Sequence, residues 1–222
     1  MTTHLHKEIE GLKKRILYMG AEVEEAVRKA VEALATRNVK QAQGVIDHDG
    51  ELDQLEVEIE EECLKILALH QPVAIDLRYV IAVLKMNNDL ERIGDLAVDI
   101  AERAVYLSEH PAIDLHLDVR EMADMTQSML KHSLDALVNS DPNLARQVRA
   151  SDDDVDDMNR RMFTLVQDYI RRDPDHAAEA IHWLSASRHL ERIADQATNI
   201  AEDVIYMVEG EIVRHQPEVF EG

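Results

Sequence analysis

The sequence predicts an all-α protein of six long helices, arranged as two pseudo-symmetric antiparallel three-helix bundles. Glycine and proline, which mark most turns, number only 7 and 5 in 222 residues. Hydrophobic residues make up 45% of the chain but aromatic residues only 4%, so aliphatic helix faces must supply the core. Residues 88–102 also recur at residues 188–202. Together these observations indicate a duplicated helical fold.

The first repeat is assigned to residues 1–110. An aliphatic stripe of helical period predicts a helix over 4–36, which the turn at residues 36–38 ends. The second helix, 39–69, has an acidic flank and an apolar stripe containing Cys63, the single cysteine, which we interpret as a core residue in a reducing compartment. Pro72 ends that helix because proline disfavours the helical conformation of the residue before it. The third helix, 75–109, carries the first copy of the motif.

The second repeat, residues 111–222, follows the same plan. A fourth helix is predicted over 114–139 and a fifth over 142–172, with a cap and a first-turn proline at the start of the fifth. Asp173-Pro174 ends it. The sixth helix, 175–209, carries the second motif and ends at Gly210, a favourable C-cap residue.

The charge balance limits the classes of partner. Acidic residues outnumber basic ones 45 to 24, giving a net charge of -21. Such a surface repels nucleic acids and anionic lipid headgroups, so a nucleic-acid-binding role is not expected. The chain shows no leader-like N-terminal segment and no run of the ~18 apolar residues that a membrane helix needs, and we expect a cytoplasmic location.

The repeated motif places carboxylates in a row. It reads Leu-Glu-Arg-Ile-Gly-Asp from Leu90 and Leu-Glu-Arg-Ile-Ala-Asp from Leu190. At about 100° per residue, Glu91, Asp95 and Asp99 project from the side opposite the apolar stripe, so we expect them on the outer face of the bundle. Like charges four residues apart destabilise a helix unless a cation neutralises them.

The neighbouring helix supplies further carboxylates. In an antiparallel hairpin that turns at Pro72, Asp53 is level with Glu91 and Asp49 with Asp95. A hairpin that turns at Asp173-Pro174 likewise sets Asp156 level with Glu191 and Asp152 level with Asp195. Such sets favour a multivalent cation, so we predict two solvent-open metal sites, each able to hold more than one ion. A solvated acidic face without a ligand is the alternative. The predicted metal ligands are Asp49, Asp53, Glu91, Asp95 and Asp99 in the first half, and Asp152, Asp156, Glu191 and Asp195 in the second.

Catalytic motifs are not evident. The chain has no phosphate-binding glycine loop, no nucleophile elbow and no Cys/His nucleophile pair, so we predict that it is not an enzyme. Di-iron enzymes of the ferritin-like kind need two Glu-x-x-His motifs, whereas Glu179 to His182 is the single instance here. We interpret that instance, and His189, as surface residues.

The doubled motif, together with Gln71 to Arg78 (Gln-Pro-Val-Ala-Ile-Asp-Leu-Arg), strongly resembles the PhoU family of phosphate-transport regulators. The resemblance implies two three-helix bundles with an E/D-x-x-x-D motif in each, and multinuclear iron or zinc clusters on the bundle surface. It also implies a non-enzymatic function: linking the phosphate ABC transporter ATPase to a sensor histidine kinase at the inner membrane, and so repressing the phosphate-starvation response. Many members have histidine where this chain has Gln196, so the second motif departs from the family pattern at that position.

A second hypothesis fits the acidic sets equally well on chemistry alone: an intracellular metal-binding scaffold or store. Asn199 in place of Asp99 suggests that the second site carries less charge than the first. Exposed apolar surface on long helices is compatible with a homodimer, although no interface follows from the sequence.

Overall fold

The computed structural model describes residues 2–115 and 117–213, and within them the regular elements are all helical, which confirms the predicted fold class. The α-helices are α1 (Thr2–Thr36), α2 (Val39–His70), α3 (Ala74–Glu109), α4 (Val119–Asn139), α5 (Pro142–Ala150), α6 (Asp152–Arg172) and α7 (Ala177–Glu209). A 3₁₀ turn, Pro174–His176, precedes α7.

The turn residues act at the positions that the sequence indicates. Asn38 caps α2 by accepting a hydrogen bond from the Gln41 backbone N–H, and Asp141 caps α5 through the N–H groups of Asn143 and Leu144. Gly210 has a φ of 78° and donates its N–H to the Tyr206 carbonyl, which ends α7 in the left-handed conformation that glycine tolerates best.

The predicted fifth helix is divided in two at Ser151. The Ser151 hydroxyl donates to the Gln147 carbonyl at 3.0 Å, and its backbone N–H bonds to the carbonyls of both Gln147 and Val148. Side-chain bonds of this kind compete with the regular helical ladder and bend helices. Asp152, Asp153 and Asp154 then occupy the first turn of α6, where the helix dipole favours negative charge.

The fourth helix begins later than predicted, at Val119 instead of residue 114. Ile113, Leu115 and Leu117 lie in the connection before it and pack against a small cluster formed by Val166, Tyr169 and Ala180. Burying these side chains against α6 and α7 favours the extended connection over another turn of helix.

The seven helices form two bundles that meet along α3 and α7. Helices α1 and α2 pack on α3, helices α4, α5 and α6 pack on α7, and α3 and α7 pack on each other. These two central helices are antiparallel, because Lys85 near the start of α3 meets Asp203 near the end of α7, while Tyr106 meets His182. Buried side chains of both bundles, Cys63 among them, join in one continuous core.

The predicted division into residues 1–110 and 111–222 stays a prediction. Residues 214–222, which it assigns to the second repeat, lie outside the described part of the chain. Across the helices that the structure describes, none has the length and apolarity that crossing a membrane would require.

Candidate metal centre

Three carboxylates of the first bundle converge on one point. Asp49 and Asp53 project from α2 one helical turn apart, and Asp95 projects from α3. One oxygen from each lies within 4.8 Å of the other two. The predicted hairpin register, which set Asp49 level with Asp95, therefore brings these side chains together.

Glu91 completes the set that we name acid cluster 1: Asp49, Asp53, Glu91 and Asp95. The pKa of Glu91 is raised by partial burial, then by the negative charges of Asp95, Glu56 and Asp53, with only Arg92 acting in the opposite direction. Glu56 was not among the predicted ligands. Its side chain faces Glu91 because Asn87, next to the motif on α3, donates hydrogen bonds to the Glu56 carbonyl and carboxylate.

Acid cluster 1 is an anionic site that Arg92 neutralises only in part. Burial raises the pKa of Asp49, and the charges of Asp53 and Asp95 raise it further. The pKa of Asp95 is raised by burial and then by Asp53 and Asp99. Asp49, Glu91 and Asp95 are thus harder to ionise because of burial and neighbouring negative charge, and a bound cation would relieve the repulsion.

The second bundle has an equivalent set, acid cluster 2: Asp152, Asp156, Glu191 and Asp195. The pKa of Asp195 is raised to about 6 by burial, then by the charges of Glu191, Asp152 and Asp156. Burial is also the largest cause of the raised pKa values of Asp152 and Glu191. All four predicted side chains therefore lie within electrostatic reach of one another.

Acid cluster 2 has more internal partners than acid cluster 1. The Thr198 hydroxyl donates to Asp152 Oδ1 at 3.3 Å, and Arg160 Nη2 lies 3.1 Å from Asp156 Oδ2. Within the described residues, acid cluster 1 alone has three carboxylate oxygens within 4.8 Å of one another. The sequence signal for Thr198 was its position, seven residues after Glu191 on the same helix face.

Asp99, the remaining predicted ligand, interacts across the bundle interface. Its Oδ2 lies 3.4 Å from Nδ1 of His189 on α7. It is half-buried and still contributes negative charge at Asp95. The acidic row of α3 thus runs from acid cluster 1 towards the other bundle.

Three residues predicted to lie on the surface, Glu179, His182 and His189, are instead buried or half-buried. Glu179 is only 7% exposed, and the His189 side chain is 15% exposed. His182 stacks on Tyr106 with ring centroids 3.5 Å apart. For His182 and His189 the prediction was wrong because it considered each bundle by itself, whereas α3 packs against this face of α7.

The carboxylates of acid cluster 1 fit the iron or zinc ions that the family resemblance implies. Acid cluster 1 offers oxygen ligands only, and three of them already converge with Arg92 as the cation that acts on Asp95. Carboxylate oxygens suit hard and borderline cations, and partial exposure leaves coordination positions open to solvent or to an exogenous ligand.

Comparisons with known proteins match nearly the whole chain. A family model described as the PhoU domain matches residues 16–104 and again residues 119–204. The phosphate-specific transport system accessory protein PhoU homolog of Aquifex aeolicus is 41% identical over 212 residues, which is 96% of each chain. The homologous protein of the same name from Pseudomonas aeruginosa is 38% identical, covering 97% of this chain and 89% of its own.

Solved structures agree with the sequence comparison. The crystal structure of PhoU from Pseudomonas aeruginosa has a TM-score of 0.90 at 39% sequence identity and covers 93% of this chain and 99% of that one. The phosphate transport system regulatory protein PhoU from Streptococcus pneumoniae has a TM-score of 0.83 at 30% identity, covering 94% of this chain and 99% of its own. This chain therefore belongs to the PhoU family.

Proposed function

We propose that this protein is a non-enzymatic accessory and regulatory protein of a phosphate-specific transport system. The observation that carries the proposal is membership of the PhoU family over nearly the whole chain, with both motif copies inside the matched residues. Relatives at this level of identity are named as accessory proteins of that transport system.

The regulatory part of the proposal concerns signalling. The protein would link the phosphate ABC transporter ATPase to a membrane sensor histidine kinase and repress the phosphate-starvation response when phosphate is plentiful. It would act in the cytoplasm, associated peripherally with inner-membrane complexes, and a homodimer is compatible with this role. The net charge of -21 supports contacts with protein surfaces over contacts with anionic lipid.

Two acidic clusters support a structural role for metal ions within that function. Asp49, Asp53, Glu91 and Asp95 would hold the first metal site, with Asp99 at its edge, and Asp152, Asp156, Glu191 and Asp195 the second. Iron or zinc ions bound there would neutralise carboxylates whose pKa values are raised by burial and then by mutual repulsion. Open coordination positions would also let an anionic ligand bind through the metal.

Deletion and complementation test the regulatory role. In a strain lacking the gene, a phosphate-starvation reporter should be active at high phosphate, and the wild-type gene should restore repression. Unchanged repression in the deletion strain would contradict the proposal. Recovery of the transporter ATPase and the kinase with the untagged protein from solubilised membranes would identify the partners directly.

Metal analysis of the untagged protein tests the two sites. Asp95→Asn should remove the metal bound at acid cluster 1 and Asp195→Asn that at acid cluster 2, so the double variant should bind neither. Glu61→Gln, on the exposed flank of α2, is the matched control and should retain the full metal content. Equal metal content in all four proteins would show that the clusters are solvated surface.

A metal-binding scaffold or store remains the second candidate function, and the convergence of Asp49, Asp53 and Asp95 is the observation that favours it. The two functions differ in one readout. A store predicts that cellular iron or zinc content falls on deletion while phosphate-dependent transcription stays normal.

A further inference from the structure

A long open groove lies between α4 and α6 of the second bundle. Two adjoining cavities of about 790 and 650 Å³ form it, and both are lined by Glu121, Met125 and Asp154. The groove begins at Leu117, just before α4, and follows that helix from Val119 to His132 for about 20 Å, nearly four helical turns. None of these residues belongs to the acid clusters.

The first bundle shows that this groove is a departure from the repeat. With the halves aligned at an offset of 103 residues, the equivalent seam lies between α1 and α2. The cavity beside His48 there measures only about 180 Å³, and a separate cavity of about 660 Å³ lies further along the seam, beyond Glu58. There His48 Nε2 lies 3.1 Å from Glu22 Oε2 and ties the helices together. The equivalent residues in the second bundle are Ser151 and Met125, which cannot form that pair, and Ser151 is also where the helix is divided.

The floor of the groove is apolar and adaptable. Half-buried Met125 and Leu117 line it, and the side chains of Met129, Met158 and Val148, each at most 5% exposed, lie beside them. Methionine is unbranched and polarisable, so a methionine-lined surface can repack around apolar side chains of different shapes. A straight groove with such a floor between two helices suits the apolar face of a third helix.

The rim of the groove is acidic. Carboxylates of Asp118, Glu121, Asp124 and Asp154 line it, and none of the four takes part in an ion pair among the described residues. Of the rim cations, Arg160 is already engaged with Asp156 and Asp157. Two rim arginines remain, Arg120 and Arg161. Because they are outnumbered by the four unpaired carboxylates, the rim favours a cationic occupant.

We propose that this groove binds an amphipathic helix of a partner protein, about four turns long, with lysine or arginine residues flanking its apolar stripe. The apolar stripe packs on the three methionines, and the flanking cations meet the unpaired rim carboxylates. The groove residues are not those proposed as metal ligands, and peptide binding is measured without any readout of phosphate regulation, so failure of this test would leave the proposed function standing.

A synthetic peptide provides the probe. An 18-residue fluorescein-labelled helix of leucine and lysine, with the leucines on one face, is titrated with the purified full-length protein and followed by fluorescence anisotropy in physiological salt. We expect saturable binding that falls at least tenfold when the same residues are shuffled to destroy the apolar face. A leucine-glutamate helix with the same stripe should also bind at least tenfold more weakly.

Charge-matched variants locate the site. Asp124→Lys combined with Asp154→Lys changes the groove, while Glu60→Lys combined with Glu61→Lys makes the same change in net charge on the exposed flank of α2. The groove variant should lose at least tenfold in affinity and the control less than threefold. Met125→Glu, which places a charge on the half-buried floor, should abolish binding, with circular dichroism confirming that each variant is folded.

Three results would overturn the proposal. Equal losses in the groove and control variants would mean that the peptide binds by general charge attraction. Equal binding of the leucine-glutamate helix would remove the charge argument. Sedimentation showing a wild-type dimer that Met125→Glu converts to a monomer would identify a second copy of this chain as the occupant instead.

Discussion

Lys85 Nζ lies 3.0 Å from Asp203 Oδ1 and so joins the two bundles through a buried carboxylate. Asp203 is 1% exposed, and the Lys85 ammonium also sits 5.3 Å from the centroid of the Tyr206 ring. The two residues belong to opposite halves of the repeat, on α3 and α7. The interface between the bundles is therefore fixed by a specific polar contact as well as by apolar packing.

Lys85→Met should destabilise the protein by about 3 kcal/mol, because methionine keeps the aliphatic packing but takes this cation away from a buried carboxylate. Urea denaturation followed by circular dichroism measures the free energy of unfolding. Lys65→Met is the control, since Lys65 forms a solvent-exposed pair with Glu8 at 3.5 Å and its loss should cost less than about 1 kcal/mol. Equal effects of the two substitutions would contradict the prediction.

Asp195→Asn should stabilise the metal-free protein at pH 8. The pKa of Asp195 is about 6 in the folded state, above the ordinary value of about 3.9, so the folded protein holds this proton more tightly than the unfolded chain does. The ionised carboxylate therefore destabilises the fold above pH 6, and the penalty disappears as the pH falls towards 4.

Because Asp195 is partly solvated, the expected gain at pH 8 is only about 1 kcal/mol, or a rise in Tm of about 2–4 °C. Thermal denaturation in the presence of a chelator measures it. The gain should vanish near pH 4.5, and Asp168→Asn, at an exposed position on α6, should show no such pH-dependent gain. A gain that does not change with pH would argue against this origin.

His182→Gln should make the protein less sensitive to acid. Burial lowers the pKa of His182, as do the charges of Arg103 and His110, while Glu179 acts in the opposite direction. The unfolded chain therefore takes up this proton at a higher pH than the folded protein, and stability is lost as the pH falls below about 6.5. The free energy of unfolding measured between pH 7 and pH 5 should decline less steeply in the variant. His132→Gln, at an exposed histidine, should decline as the wild type does.

Two glycine substitutions should have opposite signs. A Cβ at Gly20 would lie 2.8 Å from Cδ2 of Leu134, a contact between α1 and α4, so Gly20→Ala forces the inter-bundle packing apart. We expect a loss of about 1–3 kcal/mol. A Cβ at Gly44 on α2 would meet no atom of another element within 4 Å, so Gly44→Ala should gain about 1 kcal/mol from helix propensity. Calorimetry of the two variants checks both signs.

Local signals in the sequence were sufficient to predict the helices and the residues of each acid cluster. Periodicity and turn residues located the six predicted helices, because each amphipathic face and each cap depends on neighbours in the chain. The register of a tight antiparallel hairpin is equally local. Asp49 and Asp95 could therefore be placed at one level by counting residues outward from Pro72.

Contacts between the two halves could not be predicted from local sequence signals. The pairing of Asp99 with His189, the stacking of His182 on Tyr106 and the burial of Asp203 all depend on α3 packing against α7. Periodicity shows that a helix has a face to bury, but it does not show which helix will cover that face. Residues expected on the surface of one bundle were enclosed by the other.

The sequence by itself thus determined the duplicated helical architecture and the acidic composition of the two clusters, since both follow from local spacing. Only the tertiary structure decided how far the clusters differ and where the second bundle opens into a groove. The physical reason is that a small difference between the repeats changes how helices pack. Ser151 stands where the first repeat has His48, and it cannot form the pair with which His48 joins α2 to Glu22 of α1.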